Sequence, residues 1–524
     1  MNKTHPNVLF IICDDLNNAL PGMGRTPEAP APHIASLMHE GVRFPHHYAN
    51  CPICLPSRSS LFSGLYPYRT GHYTLWDDWR ACVPIATTDS WNTQIYNPDR
   101  PVRPWLRDAV MMPLHFRRNG YETYGSGKTF HQGRLDDAWW TEYSGGVDYG
   151  PRHQKLDAQT HVLLEGDPLE SYVHRYDGLD RFFLSDGQFR HTIELDYGPM
   201  DEIFRADRGQ PFRGDGSGEP YWYENDHQRD PLPDESTADY GVDVLRRHHD
   251  RPFFLALGLT KPHTPLNAPR EHFDRIDPSR LELPPLLKGD IDDCARAHVE
   301  NTPYGHLLFE LVTKTGESGW RRWLHAYLAC IAFLDDQVGK VLQALDNSPY
   351  RDNTVVIFTS DNGYHMGEKE YIFKNTLWEE AGGIPLIMRG PGIDPHGQAC
   401  QAPVSLIDLY PTLCGLCDLP QDPNTNGNGM PLDGRSLRPL LKNPQAGTRE
   451  GPAVALSSVR GNTGIHHSVR DLTYRYILCQ NGEEELYDHT MDPHEWHNLA
   501  SDPAHASARA TLRESLLGLI LAGH

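Results

Sequence analysis

The chain has no apolar run of the roughly 18 residues that a membrane-crossing helix requires, which excludes a helical span. Its first apolar stretch, Val8-Leu-Phe-Ile-Ile-Cys13, is shorter than a signal core. It runs into Asp14-Asp15 and not into a small-residue cleavage site, so it reads as a buried strand. The sequence as written is expected in the cytoplasm, or in the periplasm or outside the cell if an export signal has been removed. Basic residues are scarce: 48 Lys and Arg face 70 Asp and Glu, a net charge of −22 over 524 residues. Such a balance excludes nucleic acid as a partner. It also means that an anionic substrate must find a local cationic pocket. Cysteine is scarce too, with ten residues at spacings that form no disulfide framework. Cys13 and Cys330 sit in apolar runs and read as buried thiols. Cys51-x-x-Cys54 lacks thioredoxin-like surroundings, and Cys414-x-x-Cys417 lacks the second ligand pair that zinc would need. No internal repeat and no low-complexity tract is present, which excludes a solenoid.

What is present is an alternation of apolar strands and amphipathic helices. Val8–Cys13, Tyr121–Gly125, Pro252–Gly258, Thr354–Thr359 and Ile384–Met388 read as buried strands. Pro32–Met38 has helical spacing with Gly41 placed to stop it, and Pro113–Gly120 starts on Pro and ends on Gly. Leu328, Ile331, Leu334, Val338, Leu342 and Leu345 recur at helical steps and predict a long amphipathic helix. The pattern predicts an α/β fold, a large and mostly parallel sheet sandwiched by helices. In such folds chemistry gathers at the carboxyl ends of the strands, where Asp14, Lys261 and Asp361 fall. Residues 140–250 are rich in Asp, Gly, His and aromatics with little periodicity, and read as long surface loops lining a cleft. Asn443–Gly451 reads as a linker. It divides a catalytic domain, 1–443, from a small α+β domain, 452–524. The latter is expected to hold antiparallel strands (Ala453–Ser457, Tyr474–Cys479) and a terminal helix carrying Leu512, Leu516, Leu519 and Ile520.

Two acidic clusters follow two of the strands: Asp14-Asp15 and Asp361-Asn362-Gly363. Their hard oxygen donors suit calcium or magnesium. Each alone could be a solvated loop acid, and Asp-Asn-Gly is also a good turn former. Between them lies Cys51-Pro-Ile-Cys54-Leu-Pro56-Ser57-Arg58, then a short helical run to Gly64. Pro56 fits a first helical turn, which puts Cys54 near a helix N-terminus, a favourable place for an anion. Arg58 brings a permanently charged fork. Gly127-Lys128-Thr-Phe-His131, Lys261-Pro-His263-Thr-Pro265 and Lys374 add the cations that an anionic substrate would require in an acidic protein.

The Cys54-x-Pro56-x-Arg58 signature resembles that of type I sulfatases, in the alkaline-phosphatase-like superfamily. The likeness extends through Asn7–Asp15, Gly120–His131, Phe253–Pro265, Leu334–Pro391, Arg470–Tyr476 and Glu485–Asp488. Gly127-Lys128-Thr-Phe-His131 and Lys261-Pro-His263 are most similar to the iduronate-2-sulfatase branch. The resemblance implies that Cys54 is oxidised to formylglycine by a maturation enzyme, and that the hydrated aldehyde attacks sulfur. It implies metal ligands Asp14, Asp15, Asp361, Asn362 and the modified Cys54, with calcium expected ahead of magnesium. It further implies that Arg58 and Lys128 stabilise the hydrate, that His131 assists sulfate elimination, and that Lys374 and His263 bind the sulfate. His263 is the expected general acid.

The implied activity is hydrolysis of sulfate esters, expected on a sulfated polysaccharide or other saccharide. His365, beside the second acidic cluster, could face the sugar. Trp139, Trp140, Trp222 and Tyr223 are candidates for a sugar cleft, with loop packing as the alternative. A phosphodiester or phosphonate monoester hydrolase of the same superfamily is a second reading. An inactive relative that binds sulfated glycans is a third.

Overall fold

The computed structural model describes residues 5–74, 109–131, 133–151, 196–204, 211–215, 217, 219–301, 303–423, 431–445 and 455–522. Most of the expected linker and part of the 140–250 segment lie outside the described residues. The centre is an eight-stranded sheet. Its strands are β1 (Asn7–Asp14), β2 (Val42–Arg43), β3 (Glu122–Gly127), β4 (Glu142–Ser144), β5 (Phe253–Pro262), β6 (Thr354–Ser360), β7 (Leu386–Arg389) and β8 (Gln398–Ala399). They lie in the order β8-β2-β7-β6-β1-β5-β3-β4. β1 pairs in parallel with β6 on one side and β5 on the other. Only β7 runs antiparallel to its neighbours, β6 and β2. The sheet is therefore mixed but mostly parallel, as the strand–helix alternation predicts.

β1 shows why both faces are covered. Leu9, Ile11 and Cys13 enter one hydrophobic core, while Val8, Phe10 and Ile12 enter the other. The first core is closed by α1 (Pro32–His39), α4 (Pro233–Arg246) and the long α5 (Glu317–Asp346). The second is closed by α2 (Cys54–Ser63), α3 (Met112–Arg118) and α6 (Leu409–Leu416).

Several local expectations change. The strand read over Ile384–Met388 is split at Pro385, whose nitrogen cannot donate to a ladder. Gly383–Ile384 pairs with His47–Tyr48 in another sheet, and β7 begins after the proline. Gly41 does not end α1 by adopting a left-handed conformation, because Glu40 already caps the helix. A Cβ at Gly41 would lie 2.1 Å from the carbonyl oxygen of Met388, so glycine is needed for close approach. The 140–250 segment is not all loop: it contains α4. Pro233 opens this helix, Asp234 and Glu235 occupy its first turn, and Ala238, Val242 and Leu245 are buried. Frequent polar residues on its outer face hide this periodicity. Trp139 and Trp140 are buried, and Tyr223 stacks on Phe204 at 4.3 Å between ring centroids. Of the four aromatics considered for a sugar cleft, only Trp222 is exposed, at 55%.

The C-terminal residues form an antiparallel sheet of β9 (Ala455–Gly461), β10 (Gly464–Arg470), β11 (Tyr474–Leu478) and β12 (Glu484–Asp488), with α7 (Ala506–Ala522) packed on it. Leu456, Val469, Tyr476, Leu512 and Leu516 share one apolar cluster with Cys51 and Ile53, just before α2. The Asn50 side-chain amide donates to the Leu456 carbonyl (2.9 Å), and the Ser458 amide donates to the Asn50 carbonyl (2.9 Å). This unit thus buttresses the loop that presents Cys54.

Candidate active site

The carboxyl ends of β1, β3, β5 and β6 and the N-terminus of α2 converge on one point. β1 delivers Asp14 and then turns through Asp15, whose φ of 63° lies in the left-handed region that Asp tolerates better than most residues. The turn aims both carboxylates into the same space. β6 delivers Asp361, whose amide donates to the Cys13 carbonyl (3.2 Å), so the two acidic clusters are tied edge to edge. β3 ends at Gly127 (φ 69°), which allows Lys128 to cross close over β5. A Cβ at Gly258 would lie 2.0 Å from the Lys128 carbonyl carbon, so the crossing requires glycine there as well. β5 continues into His263. Lys374 arrives on a loop fastened by the Asn375 amide, which donates to the Pro52 carbonyl (2.8 Å).

α2 starts at Cys54 and ends on Gly64 in the left-handed conformation (φ 70°). Cys54 is buried, and its Sγ lies 2.8 Å from Lys374 Nζ. Burial, with Asp14 adding to it, pushes the thiol well above its usual pKa, so an unmodified Cys54 is a poor nucleophile. Ser57 Oγ donates to the Asp361 carbonyl. Arg58 has no exposure and spends its fork within the protein. Its Nε donates to Asp361 Oδ2 (2.7 Å), one terminal nitrogen donates to the carbonyls of Lys128 and Thr129, and the other to that of Cys13 (3.1 Å). That second nitrogen is 3.8 Å from Asp14 Oδ1. Arg58 therefore neutralises the acids and locks three strand ends together.

Lysines balance the remaining acids. Lys128 Nζ donates to Asp14, and Lys374 Nζ donates to Asp15 as well as contacting Cys54. Burial works against both ammonium groups, but the adjacent carboxylates outweigh it and hold both pKa values above the usual lysine value. Burial likewise works against the Asp14 carboxylate, yet Lys128 and its neighbours hold it well below the usual range. Burial pushes Asp361 up to about 7, with Arg58 opposing. His263 Nδ1 donates to the Thr264 carbonyl (2.7 Å), and its Nε2 points at Asp15 Oδ2 from 3.7 Å. Burial carries the pKa values of His263 and His131 well below the usual imidazole value. His131 Nδ1 is buried with no hydrogen-bond partner among the described residues.

The donor set fits a hard cation. Ligand atoms of Asp14, Asp15, Cys54 and His263 all lie within 4.8 Å of one another. Asp14 Oδ1 and Asn362 Oδ1 are buried and accept no hydrogen bond among the described residues. Asn362 turns its amide nitrogen to Asp15 Oδ1 (2.8 Å), which leaves its oxygen free for an ion. Orphaned buried oxygens of this kind are costly unless a cation or ligand satisfies them.

Ten of the eleven residues singled out in the sequence are gathered here. His365 stands apart. It has no exposure, and its ring nitrogens meet the Glu368 carbonyl (3.3 Å) and Thr376 Oγ1 (2.7 Å), so it packs the loop and does not face a cleft. Lys261, also noted at a strand end, donates to the Pro265 carbonyl (2.5 Å) and Asn267 Oδ1 (3.1 Å). Sequence reasoning missed Tyr149, whose ring lies 4.7 Å from that of His263 and 4.7 Å from Lys128 Nζ. It sits in the aperiodic segment, where no spacing signals a contact.

Comparison with known proteins gives a consistent result. Residues 6–419 match the Sulfatase family, and residues 367–521 match the C-terminal region of N-sulphoglucosamine sulphohydrolase. A sulfatase from Formosa agariphila is 30% identical over 95% of this chain and 83% of its own length. Iduronate 2-sulfatase from Homo sapiens is 25% identical over 95% of this chain and 91% of its own. A solved structure of a protein in complex with its substrate D-glucosamine-2-N,6-O-disulfate shares the fold, with a TM-score of 0.65, 17% identity and 99% of each chain covered.

Proposed function

The chain belongs to the sulfatase family and is a sulfuric ester hydrolase, and from that premise we propose that it removes sulfate from a saccharide at a formylglycine made from Cys54. The family generally uses a metal together with formylglycine. Asp14, Asp15, Asp361, Asn362 and residue 54 would hold the ion, with calcium favoured over magnesium because the donors are oxygens of several kinds in an irregular turn. When present, the ion supplies Lewis-acid polarisation of the sulfate, and formylglycine supplies a hydrated aldehyde whose hydroxyl is the nucleophile.

The chain's own residues divide the remaining work. Lys128 and Lys374 stay protonated beside their carboxylates, so they neutralise the ester's charge without giving up their protons. Arg58 holds Asp361 by a hydrogen bond and stands beside Asp14, which fixes both carboxylates in place. His263 has its Nδ1 proton committed to Thr264, so its Nε2 is the nitrogen free to carry a proton to the leaving alcohol. An arriving anion raises the affinity of that nitrogen for the proton, and departure of the alcohol removes it. His131, whose Nδ1 is buried with no hydrogen-bond partner among the described residues, would take a proton during sulfate release.

The single observation that carries this reading is the bridge made by Lys374 between Asp15 and Cys54. It joins the acidic cluster to the nucleophile position. The saccharide assignment is supported by the iduronate relative and by the neighbour bound to a sulfated glucosamine. Because Cys54 is buried, a formylglycine-generating enzyme would have to reach it before the chain folds. The test is a panel of sulfated saccharides assayed for released sulfate, with the mass of the Cys54 peptide measured in the same preparation. Sulfate release by protein carrying the aldehyde supports the reading. A fully modified and metallated protein that releases none from any saccharide overturns it.

A further inference from the structure

Two features are left over from the mechanism. Lys261 is buried at a strand end, yet its ammonium donates to Pro265 and Asn267 and not to the acids of the site. Tyr149 comes from the segment without sequence periodicity, yet it touches two residues of the site. Asn267 connects them. Its oxygen accepts from Lys261 Nζ (3.1 Å), and its amide nitrogen donates to the Pro151 carbonyl (2.7 Å). The Lys261 contact fixes which way the Asn267 amide faces, and that orientation holds the chain two residues beyond Tyr149. On the same turn, the Gly150 amide donates to Asp148 Oδ1 (2.8 Å), and Gly150 has a φ of 84°. The backbone on the far side of Tyr149 is thus fastened to the same strand end that carries His263.

The Tyr149 ring then meets His263 at an interplanar angle of 39° and presents its face to Lys128. An electron-rich face is a favourable neighbour for an ammonium. A ring packed on an imidazole limits its rotation about χ2, which is otherwise broad. The hydrogen bond from His263 Nδ1 to the Thr264 carbonyl (2.7 Å) restrains the ring as well.

We propose that Tyr149, held through the Lys261–Asn267–Pro151 connection, is the positioning residue that sets the His263 ring for proton delivery to the leaving alcohol. This rests on the assignment of His263 as general acid. The consequence is a selective one. A leaving group that departs readily as an anion needs no proton, whereas a sugar alkoxide does.

The test compares 4-nitrophenyl sulfate with a sulfated saccharide that the wild-type protein turns over. Tyr149→Leu should lower kcat on the saccharide by roughly 10- to 100-fold, a part of what a general acid contributes, and lower it less than about threefold on the aryl ester. Tyr149→Phe keeps the ring and should stay within about threefold of wild type on both. Asn267→Ser, which drops the amide to Pro151 but retains an acceptor for Lys261, should show the same selectivity as Tyr149→Leu. Equal losses on the two esters, or a Phe variant as impaired as Leu, overturn the positioning role. If His263→Ala itself loses equally on both esters in an active background, the general-acid assignment fails, and this inference fails with it.

Discussion

Lys374 Nζ lies 2.8 Å from Cys54 Sγ, although the two residues are 320 positions apart in the chain. The contact depends on a loop stapled at Asn375 to Pro52 and braced from behind by Arg475, which donates to the Leu377 carbonyl (2.9 Å). Lys374→Met should therefore lower kcat by about 10²- to 10³-fold, the scale of losing one charge-stabilising donor. KM for a sulfate ester should rise as well, because the same ammonium meets the ground-state anion. Steady-state kinetics on the modified enzyme would check this, and an unchanged kcat would sink the role.

Cys54→Ala should abolish sulfate release while leaving the fold in place. The side chain is small, and its neighbours in α2 make their own contacts. Circular dichroism and thermal melting should match the parent. Residual turnover above the uncatalysed rate would refute a nucleophile at this position.

Removing the metal, or removing one of its acids by Asp14→Ala, should silence the enzyme. The orphaned oxygens of Asp14 and Asn362 are the reason. Metal content by elemental analysis and sulfate release should fall together and return together when calcium is restored to the chelated wild type. Full activity in a sample verified to be metal-free would contradict the proposal.

Gly258→Ala tests the crossing that places Lys128. A Cβ there would lie 2.0 Å from the Lys128 carbonyl carbon. Backbone cannot yield as a flexible side chain does, so a loss of about 1–3 kcal/mol or more is expected, together with reduced kcat. Denaturant titration gives the first and kinetics the second. Wild-type stability would show that the approach is looser than described.

Acid should loosen the C-terminal unit. Glu495 accepts from Arg475 Nε (2.5 Å), and Glu379 accepts from the same guanidinium. Burial works against the Glu495 carboxylate, but Arg475 outweighs it and brings the pKa from 4.5 down to about 2. The folded-state pKa is depressed, so the stabilisation is complete above about pH 4.5 and is lost as pH falls toward 2. Melting temperature should therefore decline across that window in the wild type. Arg475→Met should be less stable at neutral pH by about 3–5 kcal/mol, since it leaves buried acids unpaired, and its melting temperature should decline less across the window. Equal acid sensitivity in both proteins would count against the pairing.

Much of this was legible in the residues. Continuous apolar runs gave β1, β5 and β6, since a strand buried on both faces needs no alternation. The acids and lysines at their ends could be placed near one another because parallel strands end on the same side of a sheet. Pro385 and Gly41 were misread where a partner strand, absent from any local window, decided the outcome. α4 was missed because its polar face interrupts the apolar spacing.

The sequence by itself determined the strand order's raw material, the Cys54 signature and the set of charges available, because these depend on residue type and spacing. Only the tertiary structure decided how those charges are used. Arg58, Lys128, Lys374 and Lys261 are all buried cations, and each must find carboxylates or carbonyls to offset its lost hydration. Which partners are within reach depends on chain crossings far apart in sequence. Those crossings put Lys374 on Cys54, turned Lys261 away toward Asn267, buried His365 in its own loop, and brought Tyr149 onto His263.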